Sequence, residues 1–80
     1  MNVNKAVALR IGELLAKNKI TQYRLEINSG LSHSRLGCIM REKNQTVTLS
    51  TVMLLAQGFG MSLIDFLDSP HFNFEKLEIE

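Results

Sequence analysis

Between Ser32 and Lys43 the chain gathers most of the side chains that could do chemistry: Ser32, His33, Ser34, Arg35, Cys38, Arg41 and Lys43. Hydroxyl, imidazole and guanidinium groups on neighbouring turns offer many hydrogen-bond donors and several acceptors. Such a set suits recognition of an anion or of a base edge better than bond-breaking. Cys38 follows His33 by five residues, and on a helix that offset points a nucleophile and its base apart. The sequence holds no paired-carboxylate, Ser-His-Asp or phosphate-cradling glycine motif, and no CxxC or HExxH spacing. No enzyme, metal or cofactor is therefore expected.

Positioning these groups requires short helices, and the apolar spacing supplies them. Val7, Ile11, Leu14 and Leu15 mark a first helix from Lys5 to Lys17, capped by Asn4. Thr21 opens a second helix running from Gln22 to about Asn28, and Gly30 ends it in the left-handed conformation. Ser32 then caps a third, from His33 to about Arg41, whose inward stripe is Leu36, Ile39 and Met40. That stripe leaves His33, Ser34, Gly37, Cys38 and Arg41 outward, with Gly37 letting the backbone approach a base closely. Thr48 caps a fourth helix (Leu49 to about Gln57, ended by Gly58 or Gly60) and Ser62 a fifth (Leu63 to Leu67, stopped by Ser69-Pro70). Two short helices around a glycine-containing turn can place the second in a major groove about 12 Å wide.

Size and charge agree with a binding module. The 80 residues suit one small domain with little room for an internal catalytic cavity. The net charge of +1 hides an asymmetry: residues 1–64 carry a surplus of five bases, residues 65–80 a surplus of four acids. A basic body with an acidic tail hints at a polyanion partner, although a plain soluble domain has a similar balance. The lone Cys38 and the absence of a long apolar run or leader pattern lead to the expectation of a cytoplasmic protein.

Thr21-Gln22-Tyr23-Arg24-Leu25, Ser29-Gly30-Leu31-Ser32, Leu36 and Ile39 together resemble the helix-turn-helix of the phage repressor/Cro (XRE) family. The likeness continues through Thr48-Leu49, Val52, Leu55-Ala56, Phe59 to Leu63 and Asp65-Phe66-Leu67, covering roughly Leu9 to Leu67. It implies an all-α, five-helix repressor-like domain over residues 1–68, with a short extended C-terminal arm over 69–80. It also implies a sequence-specific regulator of transcription, most simply a repressor, bound to double-stranded DNA. By the resemblance His33, Ser34 and Cys38 match base-edge positions, while Arg35 and Arg41 flank them within reach of guanine or phosphate. Gln22 matches a glutamine that meets the DNA backbone, with Tyr23, Arg24, Ser32, Lys43, Asn44 and Thr46 as further backbone candidates. Two residues depart from the family pattern. Glu26 replaces a packed alanine and needs a basic partner such as Arg35, or the helices must open. Glu42 replaces the glycine that ends the recognition helix, which is expected to run on to Lys43 or Asn44.

Apolar residues beyond the needs of one core face point to an interface. With Leu49, Val52, Leu55, Ala56 and Phe59 inward, Met53, Leu54 and Ile64 remain outside, and with Phe72 and Phe74 of the arm they define an expected homodimer contact. The competing arrangement has the arm folding back within one chain. A two-fold dimer would read a palindrome with half-sites one helical turn apart. The alternative function is an antitoxin or anti-repressor module that uses the helix-turn-helix as scaffold.

Overall fold

A computed structural model describes residues 1–43 and 46–78. Its elements are five α-helices, α1 (Val3–Asn18), α2 (Gln22–Ser29), α3 (His33–Met40), α4 (Leu49–Gly58) and α5 (Leu63–Leu67), followed by two 3-10 turns, Pro70–Phe72 and Phe74–Lys76. Four hydroxyl caps form as expected, each accepting an amide three residues on: Thr21 from Arg24 at 3.0 Å, Ser32 from Arg35 at 3.1 Å, Thr48 from Thr51 at 3.2 Å and Ser62 from Asp65 at 3.1 Å. The start of α1 differs. Asn2, not Asn4, is its cap and accepts the Lys5 amide at 2.8 Å, while Asn4 Oδ1 accepts the Val47 amide at 3.2 Å and ties α1 to the segment before α4.

The core is one cluster in which Val7, Ile11, Leu14, Leu25, Leu31, Leu36, Ile39, Val52, Leu55, Ala56 and Phe66 are all buried. Gly58 lets α2 and α4 meet closely. A Cβ there would stand 2.9 Å from Ser29 Cβ and 3.2 Å from its Cα, so any side chain would push the two backbones apart. Leu49 does not face inward as expected; it is exposed, and Thr51 takes the buried place. The hydroxyl of Thr51 accepts a hydrogen bond from Arg35 Nη2 at 2.9 Å and pairs with that of Thr48 at 3.0 Å, which gives a buried polar group the partners it requires.

The C-terminal segment is not an extended arm. Ser69 caps the first 3-10 turn, Pro70 supplies its fixed φ, and the turn brings Phe72 back onto the buried Phe66 with ring centroids 6.2 Å apart. The Glu78 amide then donates to the Met1 carbonyl at 2.9 Å, and Asn2 and Glu78 form an isolated parallel bridge. Phe72 is thus half-buried within its own chain rather than free for a second copy, whereas Phe74 projects outward, 79% exposed.

Arg10 fastens α5 to α1. Its Nε donates to the Phe66 carbonyl at 2.7 Å, Nη2 to that of Asp65 at 2.8 Å and Nη1 to Glu13 at 2.8 Å. Glu13 in turn reaches His71 Nε2 at 3.2 Å. The hydrogen bond from Arg10, with His71 adding to it, holds the Glu13 carboxyl below its usual range despite some desolvation. A carboxylate whose folded pKa is depressed adds stability above its unfolded pKa and loses it as pH falls through the folded one. Glu13→Gln is therefore expected to be slightly less stable than the wild type at neutral pH, with the gap closing under acid, by urea unfolding at several pH values. The carboxylate is 45% exposed, which keeps the effect modest.

Candidate nucleic-acid interface

Eight residues in α3 give a rod about 12 Å long, close to the width of a major groove. Leu36 and Ile39 anchor one side in the core, and His33, Ser34, Arg35 and Arg41 stand exposed on the other. The N-cap Ser32 is also exposed, while its hydroxyl is engaged by the Arg35 amide. The first turn of the C-terminal segment packs against α1.

Three of the expected base-facing residues are arranged differently from a plain outward fan. Gly37 is buried, because the Arg41 guanidinium folds over it; a Cβ at Gly37 would lie 3.1 Å from Arg41 Nη1. Arg35 spends one guanidinium nitrogen on Thr51, so α3 is latched to the start of α4. Cys38 is half-buried and lines a recess of about 290 Å³ with Ser34, Arg35 and Thr46 among its neighbours.

Glu26 finds a partner, and it is His33 rather than Arg35. Glu26 Oε2 lies 2.8 Å from His33 Nδ1, a contact that becomes an ion pair only when the ring is protonated. The bond spans the turn and satisfies a carboxylate that is 11% exposed, so α2 and α3 need not open. The sequence marked Glu26 as a residue in need of a partner. It did not reveal which one, because the rotation of α3 points Arg35 towards α4.

At its other end α3 stops at Met40 instead of running on to Lys43 or Asn44. Glu42 adopts a left-handed φ of 57°, the Lys43 amide donates to the Cys38 carbonyl at 2.9 Å and the Glu42 amide to that of Ile39 at 3.1 Å. This pair of bonds is the Schellman ending that glycine normally makes without a Cβ clash. The left-handed backbone costs a non-glycine residue roughly 1–2 kcal/mol, part of which glycine's greater unfolded-state freedom offsets. Glu42→Gly is accordingly expected to raise stability by about 0.5–1 kcal/mol in urea unfolding; a lower stability would mean that the Glu42 side chain holds the turn.

The flanking candidates border the same face. Gln22 is half-buried at the first position of α2, where unpaired amides and the helix dipole favour an anion. Tyr23, Arg24, Lys43 and Thr46 are exposed, and Asn44 lies outside the described residues. Among the described residues no group of three or more His, Cys, Asp or Glu gathers as a metal site, and no helix is long and apolar enough to cross a membrane.

Elsewhere on the surface, Met53 and Ile64 are exposed and Leu54 is half-buried. Met53 and Leu54 line an open groove of about 630 Å³ together with Met61 and Leu63.

Comparison with curated proteins gave no match, and neither did comparison with solved structures. The family model described as a Cro/C1-type HTH DNA-binding domain matches residues 10–70, from Arg10, which fastens α5, to Pro70. With helix, turn and recognition helix formed over that span, the chain belongs to the Cro/C1-type helix-turn-helix family and is a DNA-binding regulator.

Proposed function

We propose that this chain is a sequence-specific repressor of transcription, working in the cytoplasm as a two-fold dimer on a palindromic DNA site. The observation that carries the reading is the polar face at α3, on which His33, Ser34, Arg35 and Arg41 are exposed while the first C-terminal turn packs on α1. Ser34 and His33 are assigned to base edges, with Cys38 and Gly37 beside them once Arg41 swings towards guanine or phosphate. Arg35 adds a second guanidinium at the same edge. Gln22, Tyr23, Arg24, Ser32, Lys43, Asn44 and Thr46 are assigned to phosphates, which position the protein without reading sequence.

The proposed dimer joins the apolar groove lined by Met53 and Leu54, with the exposed Ile64 and Phe74 as further contacts. It would hold two recognition helices about 34 Å apart. Occupying a promoter is the simplest way for such a dimer to lower transcription.

Selection of bound duplexes from a random pool tests the reading, with a palindromic consensus as the supporting outcome. Ser34→Ala is expected to reduce discrimination at one position per half-site by about 1–3 kcal/mol. Equal loss on selected and random DNA would remove Ser34 from the base-reading set. Sedimentation at high micromolar concentration tests the dimer, and a monomer there would refute it.

A further inference from the structure

Glu26 and His33 face each other across the turn between α2 and α3, and the two ends of their 2.8 Å contact differ sharply in environment. The carboxylate side chain is 11% exposed, the imidazole 86%. Glu26 is thus a fixed group near the protein interior, and His33 is a ring held at one nitrogen and offered to the surroundings at the other. A carboxylate only accepts hydrogen bonds, so Nδ1 must carry the hydrogen. In the neutral ring Nε2 is then a lone-pair acceptor, and among the described residues nothing takes it up.

We propose that Glu26 is a positioning residue that sets the tautomer of His33, so that the start of α3 reads an exocyclic amine, adenine N6 or cytosine N4. This rests on the major-groove placement of α3 above. In that groove only those two groups donate hydrogen bonds; guanine O6 and N7 and thymine O4 accept. An unrestrained neutral imidazole could turn an N–H towards guanine or thymine, and while the ring stays neutral the bond to Glu26 removes that option. Ser34 and Arg35 can read their own neighbours, but neither is confined to accepting. The role of Glu26 is therefore specificity at one base, exerted through His33.

Two measurements at mildly alkaline pH test this on the full chain. Nitrogen-15 imidazole spectra of the free protein report the tautomer, and selection from a random duplex pool reports the preference. The wild type is expected to show a single Nδ1–H form and to retain adenine or cytosine at one position per half-site. Glu26→Ala should give mixed tautomers, and both Glu26→Ala and His33→Ala should lose about tenfold of the preference there, leaving other positions unchanged. Backbone amide spectra check that Glu26→Ala keeps its fold; if it does not, the wild-type spectrum and His33→Ala still decide. A bare Nδ1 in the wild type, an unchanged consensus in His33→Ala, or guanine or thymine at that position each overturns the proposal while leaving DNA binding intact. Failure of every chain to enrich any sequence overturns the DNA reading and this inference with it.

Discussion

Raising salt from about 50 to about 200 mM is expected to lower the affinity of the proposed dimer for DNA about 10³- to 10⁵-fold. Arg24, Arg35, Arg41 and Lys43 are the exposed cations that border the α3 face, four per chain and so eight in a two-fold complex. Each phosphate neutralised releases condensed counterions, and six to ten such contacts give a loss of roughly this size. A single protomer with four contacts would lose only about 10²-fold over the same range. The slope therefore reports stoichiometry as well as mechanism. Arg24→Gln or Lys43→Gln should reduce the slope by about one per protomer, with similar losses on all sequences. Affinity that hardly responds to salt would favour the scaffold alternative, in which the helix-turn-helix serves a protein partner.

Phe66→Ala is expected to cost about 3–5 kcal/mol, the largest stability effect of any single substitution considered. The ring is fully buried and carries Phe72 of the C-terminal segment, while its backbone carbonyl is held by Arg10. Small domains have only about 5–15 kcal/mol in total, so the loss should lower the melting temperature by at least about 12 °C. The segment from Pro70 onward should loosen at the same time, visible as lost amide protection at Phe72 and Glu78. Phe74→Ala, at a ring 79% exposed, should shift monomer stability by less than about 0.5 kcal/mol. Equal effects at Phe66 and Phe74 would contradict the packing described.

The contrast between Phe72 and Phe74 also shows where sequence reasoning stops. Their spacing suits one side of a strand, which places both in the expected dimer contact; Pro70 and the Ser69 cap instead wind the segment into turns that separate the two rings. The helices themselves were legible because a hydroxyl cap and a 3.6-residue apolar period are local signals, as at Thr21, Ser32, Thr48 and Ser62. What failed was choice among equivalent local options. Asn2 and Asn4 are equally good caps by type, and Asn4 is instead engaged by the distant Val47 amide. Leu49 and Thr51 likewise exchange places because Arg35 on α3 supplies a partner for a buried hydroxyl.

The candidate site was legible in outline for the same reason, and its couplings were not. Exposure of His33, Ser34 and Arg41 follows from the stripe of Leu36, Ile39 and Met40. The pairing of Glu26 with His33 and the fold of Arg41 over Gly37 depend on side-chain rotations, and the left-handed Glu42 on a backbone dihedral, that no spacing encodes. Glu42 shows the limit most plainly: its type argues for a longer helix, yet the Schellman bonds end α3 where glycine would have ended it.

Titrating a 15N-labelled chain with a random-sequence DNA duplex shows, amide by amide, which face meets DNA. The expected result is that shifts concentrate from Ser32 to Lys43 and at the start of α2, while Met53, Met61 and Leu63 stay still. Shifts confined to the groove between α4 and α5, with His33, Ser34 and Arg41 unmoved, would contradict the assignment of α3 as the DNA-reading helix.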